Sequence, residues 1–286
     1  MSLIVHTLAV AGALCSATAT VTIRQGLGNS NPYAGFWINL VVGVVGLWVA
    51  TFFLVPVSNF HASALPFFIA SGLLGTVAGR FLRFLSIDKV GAPVAAAINN
   101  LNPFISTGLA ILLLGEHVTL PILAGTSVIV FGTILLSLSG RYVGFRPRHL
   151  WYPFLSAFCF GSVAIIRKIG LLHAHPVFAL SVNITTAFIA FTAYLAASGN
   201  LGAVRCDRKS LRYFLVAGIT ENGGVLLGLI ALGLGQVSVV TPLSGTAPLF
   251  VLLLTFLYLR GVEQLTGRIV LGTILIVLGV FLLTAM

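Results

Sequence analysis

The sequence predicts an all-α integral membrane protein, with ten transmembrane helices arranged as two inverted five-helix repeats. Three observations carry this: an apolar composition, ten apolar segments of spanning length, and a second half that repeats the first. Of 286 residues, 58% are hydrophobic and 7% charged, and the mean hydropathy is +1.12. Polar side chains are too few to cover a water-soluble domain of this size. A hydrocarbon layer about 30 Å thick needs ~20 mainly apolar residues per helix. Such segments run approximately over residues 3–23, 33–56, 64–86, 91–114, 119–139, 150–170, 176–198, 211–232, 238–259 and 266–285. Turn formers and charges separate them, as in Gly28-Asn29-Ser30-Asn31-Pro32 and Arg205-Cys206-Asp207-Arg208-Lys209. The first segment lacks the basic n-region of a cleaved signal and reads as an ordinary helix.

The repeat is carried by residues that apolar coincidence does not supply. At an offset of 144, Cys15, Gly26, Leu27, Pro32 and Asn39 match Cys159, Gly170, Leu171, Pro176 and Asn183. At 145, Gly79 and Pro103 match Gly224 and Pro248. At 147, Glu116, Gly125, Thr126 and Gly132 match Glu263, Gly272, Thr273 and Gly279. The chain therefore divides into a first repeat over residues 1–140, a basic connector over 141–149 and a second repeat over 150–286.

Five helices per repeat is an odd number, so the second half enters the membrane in the opposite sense to the first. Charge agrees. Numbering the loops one to nine, the odd loops hold Arg24, Arg83, Lys89, Arg141, Arg146, Arg148, Arg205, Arg208, Lys209, Arg212, Arg260 and Arg268, and the even loops hold Arg167 and Lys168. Positive residues favour the cytoplasmic side. Odd loops are accordingly expected in the cytoplasm and both termini outside.

The pattern resembles the drug/metabolite transporter superfamily, in particular its ten-helix EamA-type permeases. The resemblance rests on a run of small residues, a mid-helix proline, a Gly-Glu turn and a Gly-rich helix in each half. These read Pro93-Val94-Ala95-Ala96-Ala97 through Pro103 to Gly115-Glu116 and Gly125, then Ser238 through Pro248 to Gly261-Val262-Glu263 and Gly272. It implies a permease of small molecules, with substrates that include amino acids, other metabolites and drugs. It also implies termini in the cytoplasm, whereas the charge count places them outside.

Arg80 and Glu221 are the charges furthest from helix ends, and a charge in hydrocarbon is costly unless it faces protein, water or a partner. Glu221 aligns with Thr76, one turn before Arg80, so the third and eighth helices present related positions near the midplane. In the functional reading Arg80 holds a carboxylate or phosphate, while Glu221 exchanges protons or receives an amine. In the alternative the two form a structural ion pair, or Arg80 snorkels to the nearby loop. Pro103 and Pro248 should kink the fourth and ninth helices and free the carbonyls of Asn99 and Ser244. Asn102 and Thr241 extend the polar stripe, and Asn222 neighbours Glu221. The substrate-binding candidates are thus Arg80, Glu221, Asn99, Asn102, Thr76, Asn222, Ser244 and Thr241. Glycine pairs such as Gly75/Gly79 and Gly224/Gly228 suit close helix packing. Glu116 and Glu263 are expected to cap the fifth and tenth helices.

No cofactor is indicated. Cys15, Cys159 and Cys206 form no CxxC pair, and His173-Ala174-His175 is too isolated for a metal site. Asn183-Ile184-Thr185 matches a glycosylation acceptor but lies inside a helix. The net charge of +10 builds no continuous basic face for nucleic acid. The function read is secondary active transport by alternating access, as an exporter or exchanger of a small polar or zwitterionic metabolite such as an amino acid or organic anion. Its partners are the substrate, the lipid bilayer and a coupled proton. The expected location is the bacterial inner (plasma) membrane. The alternatives weighed are a channel and an intramembrane enzyme acting on a lipid-linked substrate, which would need acid, base or metal ligands clustered at one depth.

Overall fold

The computed structural model describes residues 2–56, 62–90, 95, 98–137, 147–258 and 267–284, and every regular element among them is helical. The first repeat comprises α1 (Ser2–Gly26), α2 (Pro32–Leu54), α3 (Ala62–Val90), α4 (Asn102–Leu114) and α5 (Leu120–Ser137). The second comprises α6 (Trp151–Gly170), α7 (Pro176–Ala197), α8 (Arg208–Leu234), α9 (Val237–Ser244 and Ala247–Tyr258) and α10 (Gly267–Thr284). Six of these are long and apolar enough to cross a bilayer alone, and α4, α5, α9 and α10 are shorter apolar helices. Phe52, Phe53 and Leu112 are 81%, 77% and 79% exposed, a surface that suits lipid rather than water.

Local sequence explains where the helices begin. Asn31 accepts a hydrogen bond from the Ala34 amide at 3.0 Å, with Pro32 in the first turn of α2. His175 does the same for the Val177 amide at 3.3 Å, ahead of Pro176 in α7. A side-chain acceptor followed by a proline that needs no partner is a strong helix start, and the repeat uses it twice.

The halves pack by exchanging partners. Helix α1 lies along α8 and its counterpart α6 along α3, α2 contacts α8 as α7 contacts α3, and α1 contacts α9 as α6 contacts α4. Three pairs meet their own counterparts: α2 with α7, α4 with α9, and α5 with α10. Swapping the halves leaves this set unchanged, so a pseudo-two-fold axis relates them. Because the repeat has five helices, counterparts run in opposite directions and the axis lies in the membrane plane.

The matched residues are the contact points. A Cβ on Gly79 would sit 3.2 Å from the Cβ of Cys159, and one on Gly224 would sit 3.0 Å from that of Cys15. Gly132 faces the Gly272 carbonyl at 2.8 Å, and Gly279 faces that of Gly125 at 2.8 Å. The cysteine-glycine and glycine-glycine matches thus mark equivalent crossings at which two backbones approach closely.

Helices α4 and α9 are interrupted rather than simply kinked. Residues 98–99 are helical, 100–101 form a turn, and α4 resumes at Asn102 with Pro103 in its first turn. In α9 the interruption falls at Gly245-Thr246, and the second segment starts Ala247-Pro248. The side chain of Pro248 lies outside the described residues. Asn102 Nδ2 donates to the Asn99 carbonyl at 2.9 Å, which satisfies an acceptor that the break would otherwise leave free. Pro242, not singled out in the sequence, lies inside the first segment of α9.

Four charged positions differ from expectation. Glu116 caps α9 instead of α5: its carboxylate accepts from the Val237 amide at 2.9 Å, the Ser238 amide at 3.1 Å and the Ser238 hydroxyl at 2.7 Å. The left-handed Gly115, φ 64°, ends α4 and carries Glu116 toward the neighbouring helix. Lys168, counted with a loop, lies in α6 and donates to the carbonyls of Leu232 and Gly235 at 2.8 and 2.7 Å. A carboxylate and an ammonium thus clasp the α8–α9 junction at its positive and negative helix ends. Arg83 and Arg167 also lie within helices, inside the segments 64–86 and 150–170 although counted with the adjoining loops. Arg167 and Lys168 lie in the last turn of α6 beside the sixth loop, just as Arg24, Lys89, Arg208, Lys209 and Arg268 lie in end turns beside odd loops, so the odd-side excess is unchanged. Glu263, Pro93, Arg141, Arg146 and Arg260 lie outside the described residues.

Candidate functional site

The middle of α3 sets up the site. Residues Gly72–Arg80 are π-helical, a wide, uncommon geometry that recurs at functional positions. Three glycines let this wide segment sit against its neighbours: a Cβ on Gly72 would come within 2.6 Å of the Asn183 carbonyl, and Gly75 and Gly79 abut Val163 and Cys159. The segment turns Thr76 and Arg80 inward, both nearly fully buried.

Arg80 is held from two helices. Its Nη1 donates to Asn39 Oδ1 at 2.9 Å and to Asn222 Oδ1 at 3.1 Å. Asn222 in turn donates to the carbonyls of Asn39 and Gly218 at 3.1 and 2.8 Å. The pairing of Arg80 with Glu221 is loose, at 3.9 Å from Nε to Oε1. The direct partner of Glu221 is Arg83, at 2.7 Å, and Arg83 also donates to Thr20 on α1. Asn183, the repeat mate of Asn39, accepts from Thr76 at 2.7 Å and donates to Ser71 at 2.6 Å, and Ser71 also receives Arg167 Nε at 2.9 Å. Two hydrogen-bonded groups thus share α3: one ties it through Arg80 and Arg83 to α1, α2 and α8, the other through Thr76 and Ser71 to α6 and α7.

Of these side chains, Thr20, Thr76, Arg80, Arg83, Arg167 and Glu221 border a cavity of ≈ 220 Å³ that also reaches Asn99, Asn100 and Asn102 on α4 and Thr241 and Ser244 on α9. A second lobe, ≈ 200 Å³, shares Ser16, Asn102, Phe160, Arg167, Glu221, Val225, Thr241 and Ser244 with the first. The two helix breaks face one another: a Cβ on Gly245 would lie 3.5 Å from Pro103 Cγ. Irregular backbone at membrane depth is tolerated where it meets protein or a cavity.

Of the eight candidates, Arg80, Glu221, Asn99, Asn102, Thr76, Ser244 and Thr241 line this cavity. Asn222 is not among its lining residues and acts by holding Arg80. The sequence reading missed Arg83, Arg167, Asn100, Ser16 and Thr20. Arg83 had a usable signal, since three residues after Arg80 is the same helix face. Arg167 had none stronger than its place near a segment end.

The charge inventory is uneven: three guanidinium groups, Arg80, Arg83 and Arg167, face a single carboxylate, Glu221, among the described lining residues. Several polar atoms are buried without a hydrogen-bond partner, namely Glu221 Oε2, Asn99 Oδ1, Asn100 Nδ2 and Asn39 Nδ2. Buried polar groups are normally satisfied; Glu221, Asn99 and Asn100 belong to the cavity wall, and Asn39 does not.

The EamA-like transporter family matches the chain twice, over residues 3–138 and 149–285. An uncharacterized protein of Methanocaldococcus jannaschii is 33% identical over 106 residues, 36% of this chain and 75% of that protein. A crystal structure described only as that of a protein superposes with a TM-score of 0.73 at 18% identity over 95% of each chain. That likeness concerns the fold alone.

Proposed function

The chain belongs to the EamA-like transporter family, and from that premise we propose that it carries a small organic anion or zwitterion across the membrane by alternating access. Membership makes it a membrane transporter of small molecules. It favours transport over an intramembrane enzyme acting on a lipid-linked substrate. The observation that supports the anionic substrate is the excess of guanidinium over carboxylate in the buried cavity. Uncompensated charge at that depth is costly, and a carboxylate or phosphate bound there would relieve it. Arginine suits this role because its planar fork matches both groups bidentately.

The transport cycle follows from the pseudo-two-fold axis. Moving one five-helix repeat against the other exchanges two equivalent packings and opens the cavity to alternate faces. The clasp of Glu116 and Lys168 on the α8–α9 junction holds the even-loop face closed, and it must open in the other state. Glu221 couples the cycle to protons: its free Oε2 takes a proton when Arg83 turns to the substrate. The carboxylate also receives the ammonium of a zwitterion. The protein works as an exporter or exchanger in the bacterial inner membrane.

Purified protein in liposomes, loaded in turn with acetate, succinate, alanine, phenylacetate and glycerol phosphate, tests the proposal by counterflow of the labelled compound. Saturable counterflow of one or more anions, abolished by Arg83→Gln, is the expected result. Counterflow restricted to organic cations, or unsaturable flux, refutes it. A pH gradient that leaves the rate unchanged in wild type removes the proton step.

A further inference from the structure

We infer that the transported anion is amphipathic, and that its apolar group occupies the lobe of the cavity lined by α8 beside Gly228. The inference rests on the anion reading above and adds the shape and orientation of the substrate.

It comes from how the repeat breaks its own symmetry. At the 145 offset the inward faces of α3 and α8 pair Thr76 with Glu221, Arg80 with Val225 and Arg83 with Gly228. One half supplies two guanidinium groups where the other supplies a valine and a glycine. Since counterparts run in opposite directions, the cationic face lies on the odd-loop side of the midplane and the small, apolar face on the even-loop side. The second lobe lies on that side. The part of its wall not shared with the first lobe is wholly apolar or glycine, with Ala13, Val163, Ala164, Leu229, Leu232 and Val240 beside Gly228, while its polar residues, Arg167 and Glu221 included, all belong to the shared part. The lobe is continuous with the charged one through Phe160 and Val225 and through the polar Ser16, Asn102, Arg167 and Glu221.

Gly228 differs from the packing glycines near it. A Cβ on Gly12 would lie 3.0 Å from the Gly224 carbonyl, and one on Gly224 would lie 3.0 Å from Cys15, so both are small because α1 presses on α8. A Cβ on Gly228 would meet nothing within 4 Å. Helix packing does not require a glycine there; its absent side chain leaves volume in the lobe, at the position where the other half places an arginine. Hydrocarbon laid against this unshared wall would remove apolar surface from water. Each CH₂ buried there should strengthen binding about fourfold. A carboxylate at Arg80 and Arg83 would point its aromatic or branched alkyl group past Phe160 and Val225 to Gly228.

The test is ligand-dependent thermal stabilisation of the purified full chain, titrated with acetate, butyrate, hexanoate, phenylacetate and hexylammonium. Wild type should bind phenylacetate at least tenfold more tightly than acetate, with affinity rising along the carboxylate series. In Gly228→Val and Gly228→Leu the ratio of phenylacetate to acetate affinity should fall stepwise toward one. The unliganded melting temperature of each variant reports folding, and Val225→Phe, which narrows the neck of the lobe, serves should the leucine variant fail to fold. Affinity independent of the hydrocarbon in wild type overturns the inference while leaving the anion reading intact. A ratio unchanged in folded variants does the same. Binding of hexylammonium with no binding of any carboxylate removes both.

Discussion

Replacing Glu221 by glutamine keeps the volume of the side chain and one carbonyl acceptor but removes the only carboxylate among the described lining residues. Arg83 loses a partner at 2.7 Å and Arg80 one at 3.9 Å. With an effective dielectric of about 20, these separations correspond to attractions of roughly 6 and 4 kcal/mol. Much of that is offset by the desolvation of the ions. Removing one member of a buried ion pair nevertheless costs about 3–5 kcal/mol, because the remaining charge is left buried and unpaired. At about 2 °C per kcal/mol for a chain of this size, the melting temperature should fall by roughly 6–10 °C. An anion is then expected to replace the missing charge. Saturating phosphate or succinate should raise the melting temperature of Glu221→Gln more than that of wild type, since a ligand at about 100 times its Kd contributes ~2.7 kcal/mol. Differential scanning fluorimetry in detergent, with chloride kept constant, makes the comparison. If Glu221→Gln melts as wild type does, the ion pairs are energetically silent. Destabilisation that no anion reverses more than in wild type would falsify the view of the cavity as an anion site.

Three further outcomes are expected. Glu116→Gln removes the charge that accepts three hydrogen bonds at the start of α9 and should destabilise the protein by about 2 kcal/mol, while opening the even-loop face to a thiol reagent at an introduced Ser16→Cys, which lines the cavity. An unlabelled, equally stable variant would show that the clasp does not gate. In a chain lacking its native cysteines, Gly202→Cys in the seventh loop should resist a membrane-impermeant thiol reagent in intact cells and Leu172→Cys in the sixth should react, both positions being exposed; the reverse pattern would invert the topology. Gly224→Ala places a methyl 3.0 Å from Cys15 and should cost about 1–3 kcal/mol by overpacking, whereas Gly223→Ala meets nothing within 4 Å and should be near neutral. Equal melting temperatures for the two would discount the close crossing of α1 and α8.

What the sequence by itself determined is the part governed by the solvent and by local chain chemistry. Segment length against bilayer thickness marks ten spans, the repeat of Asn31-Pro32 in His175-Pro176 marks two helix starts, and an odd count of helices dictates inversion. None of these requires knowing which side chains meet. The tertiary structure decided the pairings. Glu221 was legible as a buried charge, but its direct partner is Arg83, 138 residues away, and Arg80 is held by Asn39 and Asn222 at separations of 41 and 142 residues. Glu116 was legible as a capping residue, but the helix that it caps starts 121 residues later. A charge in an apolar segment announces that it must find a partner, because burying it alone is too costly. Which partner it finds depends on how several helices converge, and helix rotation and register come from packing that no local pattern encodes. For the same reason Gly224 and Gly228 look alike in the sequence, yet α1 presses against the first and the cavity opens beside the second.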